Sequence, residues 1–268
     1  MRHRIVRSGL LAVACVLATT ATAAAAPIHP GVQTLTGGAQ CTSNFIFRDA
    51  TSTYIGQAAH CSGTGQATST NGCTSGSLPL GTPVTVTGAS RPGTLVYNSW
   101  LTMQAAGETN ANACAFNDFA LVRLDPADAG NVDPSVPGFG GPTRVGGGAG
   151  TLATVYSYGN SSLRLGIRQL SPKQGVVVAS TGGGWSRTVL TVTPGIPGDS
   201  GSGFMNAAGE AIGVLSTLAV LPVPGTNGVG DLGRELDYMR AHTDFDGVAL
   251  VPGTKPFKGN LLGAILGG

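Results

Sequence analysis

Apolar residues in this chain gather in short runs rich in Val, Thr and Ile, and Gly, Pro, Asn and Ser punctuate the runs at close intervals. Runs with helical spacing are almost absent. Branched side chains pack well on a pleated surface while Gly and Pro interrupt it, so this pattern predicts short strands joined by turns. The strands are expected over 40–47, 53–58, 84–88, 93–97, 120–124, 152–158, 175–179, 188–193 and 211–216. Strands this short and this numerous predict a sandwich or a barrel. One helix is expected over 231–242, where Leu232, Leu236 and Met239 recur at helical spacing with Arg234, Glu235 and Asp237 between them.

The stretch 125–150 is dominated by Gly, Pro and Asp and reads as a connection between two halves of similar size. Residues 1–26 read as an export leader: Arg2, Arg4 and Arg7 make a basic start, 9–18 is apolar, and 21–26 is a run of small residues cleavable after Ala24 or Ala26. The expected layout is therefore a leader at 1–26, a first β half at 27–125, a linker with the second β half and helix at 126–243, and a tail at 244–268. The tail's apolar patch, Leu261 to Leu266, is expected as strand or coil laid against the body.

Charge and cysteine content narrow the picture. The leader takes three of the fifteen basic residues and none of the thirteen acidic ones, which leaves a nearly neutral chain. Its Lys and Arg are scattered singly, which argues against a nucleic-acid partner. No segment reaches the roughly 20 apolar residues that cross a bilayer, so a secreted protein free of the membrane is expected. Four cysteines remain after the leader, Cys41, Cys61, Cys73 and Cys114. An even set in an exported chain reads as two disulfides, and four cysteines allow three pairings. A zinc site is disfavoured, because no close Cys-x-x-Cys pair exists and the nearby histidine is His60 alone.

Three segments carry candidate chemistry. Ser200 sits in Gly198-Asp199-Ser200-Gly201-Ser202-Gly203, where glycines permit backbone N–H groups to converge on one point. An ordinary Gly-Ser turn would look similar. His60 ends an apolar strand in Ala58-Ala59-His60-Cys61, where small neighbours leave its ring approachable; a packed histidine is the plain alternative. Asp118 opens the apolar run Asn117-Asp118-Phe119-Ala120-Leu121-Val122, where a turn or cap residue is the plain alternative. Together they supply what a neutral serine needs to attack a carbonyl: a base for its proton, and an acid that orients the base.

These three blocks resemble the catalytic blocks of the chymotrypsin-like serine peptidases, in that family's order of His, Asp and Ser. The resemblance covers about 32–242 and implies two six-stranded antiparallel β-barrels, a C-terminal helix and an active site between the barrels. It implies His60 as base, Asp118 as its orienting acid and Ser200 as nucleophile, with the N–H groups of Gly198 and Ser200 as the oxyanion hole. It also implies the pairings Cys41 with Cys61 and Cys73 with Cys114, and a role for Ser216 beside the acid and along the substrate. Substrates would be proteins or peptides, with no cofactor or metal and with the chain acting as a monomer.

Departures from the family bear on specificity. The pocket floor that carries an acid in trypsin-type members is Pro194 here; Leu218 stands where many members keep glycine, and Gly228 is expected on the far wall. A small or apolar residue before the scissile bond is therefore expected, with Asp231 the nearby acid that could upset this. Pro27, and not a basic residue, stands immediately before Ile28, so an internal arginine, Arg144, Arg164 or Arg168, is expected to neutralise Asp199. The rival readings are a catalytically inactive binding module on the same fold and a secreted esterase. The esterase would need the strand-helix alternation that is missing here.

Overall fold

The computed structural model describes residues 27–66, 69–218 and 224–267, so the expected leader at 1–26 lies outside the described residues. Among the described residues, fourteen strands form two sheets. The first half holds β1 (Gln33–Thr36), β2 (Ala39–Thr42), β3 (Ile46–Arg48), β4 (Thr53–Gln57), β5 (Pro83–Val86), β6 (Gly93–Asn98) and β7 (Ala120–Arg123). The second holds β8 (Thr154–Tyr158), β9 (Pro172–Thr181), β10 (Ser186–Thr191), β11 (Gly203–Asn206), β12 (Ala211–Leu218) and β13 (Thr226–Asp231). The helix α3 (Leu232–His242) follows β13 directly.

The second half closes into a six-stranded barrel, β10-β13-β12-β11-β8-β9. The first is one eight-stranded sheet, β14-β3-β4-β7-β6-β5-β1-β2, in which the tail strand β14 (Ala249–Leu250) extends the edge beside β3. The expected strand 40–47 is two strands, because the chain breaks pairing at Ser43 to Phe45, where the Asn44 amide and the Gly56 carbonyl meet.

Strands in the first half are apolar on both faces because both faces are covered. Alternate residues point opposite ways. Ile46, Ile55, Leu95 and Val122 enter the first half's own core with Ile28, whereas Phe47, Tyr54, Tyr97 and Leu121 face a second cluster, Leu95 and Tyr97 parting across a β-bulge in β6. That second cluster also takes Met205 and Val214 of the barrel and Leu232, Leu236 and Met239 of α3, so it joins the two halves. α3 starts where Asp231 accepts a hydrogen bond from the Arg234 N–H, and its apolar stripe faces inward.

Three helices appear that apolar periodicity did not announce: α1 (Ser99–Ala106), α2 (Ala111–Phe116) and α4 (Leu261–Leu266). Capping, more than amphipathic patterning, marks the first two. The Asn98 side chain accepts from the Trp100 and Leu101 N–H groups, Gly107 closes α1 in the left-handed region, and Asn110 caps α2. The patch at 261–266 is thus a short helix and not strand or coil, capped by Asn260. Both expected disulfides form, Cys41–Cys61 and Cys73–Cys114, the second tying α2 to the loop that carries Cys73.

Candidate active site

Register brings His60 and Asp118 together. β4 and β7 are antiparallel neighbours with Gln57 opposite Ala120, so the residues just after β4 lie beside those just before β7. The Ala59 N–H donates to the Asp118 carbonyl at 3.2 Å, which extends the ladder to the two side chains. Asp118 Oδ2 holds His60 Nδ1 at 2.7 Å and accepts from Ser216 Oγ at 2.5 Å, while Oδ1 accepts from the His60 N–H at 2.8 Å. The carboxylate is buried and the histidine partly open. Burial disfavours the imidazolium, but the charge and hydrogen bond of Asp118 outweigh it, so the His60 pKa is raised above the ordinary histidine value. With Nδ1 engaged, Nε2 is the nitrogen left for a partner.

Ser200 reaches this pair because its loop is stitched to the first half. The Thr42 N–H donates to the Ser200 carbonyl at 2.8 Å, and Thr42 neighbours Cys41, whose disulfide partner Cys61 adjoins His60. Gly201, at φ +88°, makes the approach possible: a Cβ there would sit 2.6 Å from the Thr42 carbonyl and 2.8 Å from the Ala58 nitrogen. Gly198 has φ +93°. Its carbonyl accepts from Thr42 Oγ1 at 2.8 Å and Gln40 Nε2 at 2.9 Å, and the preceding carbonyl, of Pro197, accepts from Ser161 Oγ at 2.6 Å. Carbonyl and N–H of one peptide unit point opposite ways, so these bonds fix the amides of the loop. Among the described residues, the Gly198 and Ser200 N–H groups donate to no protein acceptor.

Asp199 turns inward and is fully buried. Of the three arginines expected as partners, Arg164 is the one that reaches it, with Nη2 2.5 Å from Oδ2, whereas Arg144 pairs with Glu210 at the surface and Arg168 lies exposed. A second cation was not foreseen: Lys173 Nζ lies 3.0 Å from the same oxygen and has no exposed surface. Burial pulls the Lys173 pKa down to about 8 against the attraction of Asp199. Burial alone would raise the Asp199 pKa, but Lys173 and Arg164 together hold it below the usual carboxylate value.

A cleft of about 550 Å³ is lined by His60, Asp118, Ser200, Gly198, Gly195, Leu215, Ser216, Thr217, Leu218, Asn227 and Trp100, among others. Ser216 and Leu218 line it as expected, but Pro194 and Gly228 do not. In the β12–β13 register Leu218 faces Asn227, which lines the cleft, while Gly228 faces Thr217, whose Oγ1 would lie 2.3 Å from a Cβ at Gly228. Pro194 uses its carbonyl to accept from Arg164 at 2.9 Å. Asn227, one residue before the expected Gly228, is the β13 residue that lines the wall. Asp231 is spent elsewhere, paired with Arg187 at 2.6 Å while capping α3. The one cluster of three metal-ligand side chains among the described residues, Cys41, His60 and Cys61, has both sulfurs in a disulfide and so lacks the thiolates a metal would bind.

No family model matches the chain, and no curated protein matches it. Solved structures do. Protease A from Thermobifida fusca is 19% identical, with a TM-score of 0.55 covering 84% of this chain and 99% of that one. The Nocardiopsis protease is 18% identical, with a TM-score of 0.52 covering 83% of this chain and 98% of its own. Chymotrypsin from Cellulomonas bogoriensis is 17% identical, with a TM-score of 0.51 covering 84% and 98%. At these identities the likeness is one of fold.

Proposed function

We propose that this chain, whose fold is that of the chymotrypsin-like serine proteases, is a secreted serine endopeptidase with Ser200 as nucleophile, His60 as general base and Asp118 as the acid that orients it. The observation that carries the reading is the grip of Asp118 on His60 Nδ1 in a cleft that also presents Ser200. Ser200 Oγ attacks the scissile carbonyl as His60 Nε2 takes its proton, and the Asp118 charge stabilises the imidazolium. The carbonyl oxygen becomes an anion, to which the unengaged N–H groups of Gly198 and Ser200 donate, each worth on the order of 3 kcal/mol. His60 then protonates the leaving amine, and water hydrolyses the acyl-enzyme with the same histidine as base. Among the described residues the His60 ring bonds Asp118 alone, so the contact from Ser200 to Nε2 is one the substrate complex must close.

Export of the chain by its first 26 residues belongs to the same proposal, supported by two disulfides of the kind that persist in oxidising compartments. The test is hydrolysis of casein by the secreted protein, with its N-terminus sequenced. Cleavage lost in His60→Ala, and an N-terminus at Ala25 or Pro27, support the reading. A folded protein without cleavage would instead be a binding module.

A further inference from the structure

Glu235 stands on the first turn of α3 and is completely buried. Its Oε1 accepts a hydrogen bond from the Asp118 N–H at 3.1 Å, and its Oε2 has no partner among the described residues. Glycine at 230 makes room for it, since a Cβ there would come within 2.4 Å of Oε1. No cation pairs with Glu235 among the described residues. The charges acting on it are two carboxylates, Asp118 and Asp231, and the second is already matched by Arg187. The buried Tyr97 hydroxyl is the remaining titratable neighbour that feels it.

We propose that Glu235 is a positioning residue of the candidate triad that acts as a neutral carboxylic acid, holding the Asp118 backbone amide while leaving Asp118 the only anion beneath His60. The proposal rests on the peptidase reading for its catalytic consequence, and on burial and hydrogen bonding for the acid's state. An unpaired buried carboxylate beside a second carboxylate is far costlier than a neutral acid, whose acceptor oxygen still satisfies the Asp118 N–H. Burial is the main cause that drives the Glu235 pKa well above the ordinary glutamate value; the Asp118 and Asp231 charges add to it, while the Asp118 N–H opposes it. A second charge at that place would strengthen the hold on the His60 proton and move the base out of its working range.

The state of the acid has a signature that needs no activity. A group protonated when folded and ionised when unfolded costs stability once pH exceeds its unfolded value, so stability falls as pH rises from there towards the folded pKa. Glu235→Gln, an isostere of the neutral acid, removes that cost. The expected result is a Tm equal to that of the parent at about pH 4 and higher than the parent at about pH 8. A lower Tm for E235Q at the alkaline end would show a stabilising charge and overturn the proposal. In the kinetic arm, E235Q keeps kcat and the acidic midpoint of kcat/KM, whereas Glu235→Leu leaves the Asp118 N–H unsatisfied and lowers kcat about tenfold at constant KM. A downward shift of the midpoint in E235Q, or a folded E235L with full kcat, contradicts it. Where E235L does not fold, Glu235→Asp retracts the acceptor and gives the same readout. Absence of cleavage in the parent itself would sink the peptidase reading and leave the thermal arm standing.

Discussion

Asn227 and Gly195 exchange two hydrogen bonds across the cleft: the Gly195 N–H donates to Asn227 Oδ1 at 2.8 Å, and Asn227 Nδ2 donates to the Gly195 carbonyl at 3.1 Å. Asn227 Nδ2 also reaches the Thr217 carbonyl at 3.2 Å, so one fully buried amide ties the strand wall to the loop leading to Ser200. A Cβ on Gly195 would meet Leu215 Cδ1 at 2.5 Å, which shows how little space remains between the walls.

A pocket closed this way predicts cleavage after small side chains. Asp118, already bonded to His60, is the acid among the lining residues, so a Lys or Arg side chain would be buried without a partner. Asn227→Gly should raise kcat/KM for substrates with Phe before the scissile bond about tenfold relative to Ala, read by profiling a peptide library. An unchanged profile, or a parent enzyme that prefers Arg, contradicts this account of the wall.

Asp199 has two cations, and their removal should be strongly non-additive. Arg164→Gln is expected to lower turnover about tenfold, with Lys173 retaining the charge balance, and the double variant with Lys173→Met to abolish it by stranding a buried anion. Arg144→Gln and Arg168→Gln should leave turnover unchanged, as should a short tag placed before Pro27. A tagged protein active only after trimming would show that the amino terminus is the partner instead.

The three blocks around His60, Asp118 and Ser200 were legible because each pairs a reactive side chain with neighbours whose size or backbone freedom its proposed role requires. Ser216 came from the family resemblance, and Arg164 was one of three arginines that the sequence left unranked; the structure selects it by bringing it to Asp199. Lys173 and Asn227 were not legible. Each is one polar residue among several in its strand, and its importance comes from its neighbours in space: β9 carries Lys173 beneath Asp199, and Asn227, not Gly228, lines the cleft opposite Leu218. Glu235 looked like one of the polar residues between α3's apolar positions, because the element that covers it, the Asn117–Asp118 turn, is 117 residues away in sequence. α1 and α2 escaped since asparagine caps define them more than an apolar stripe does.

Activity should follow the neutral form of His60. Asp118 raises its pKa, so kcat/KM should climb with a midpoint above the ordinary histidine value and be low in acid. Asp118→Asn should lower the midpoint by removing the charge, and lower the plateau by releasing Nδ1. Rates that do not vary between about pH 5 and 8 would exclude His60 as the base.

The disulfides constrain different parts. Cys41–Cys61 closes a separation of 20 residues and Cys73–Cys114 one of 41, which the chain-entropy relation converts to roughly 3 and 4 kcal/mol of stability. Replacing Cys41 and Cys61 by Ala should lower activity more than stability alone explains, because that bond links the strand holding the Ser200 loop to His60. Replacing the other pair should lower Tm while leaving kcat of the folded fraction intact. Equal kinetic effects of the two losses would argue against the tether.

Reaction with a fluorophosphonate probe, followed by peptide mapping, tests the central assignment most directly. An activated serine beside unengaged amides should be phosphonylated stoichiometrically at Ser200, with labelling abolished in Ser200→Ala and in His60→Ala while both variants stay folded. Labelling at another residue, or undiminished labelling in Ser200→Ala, would contradict Ser200 as the nucleophile.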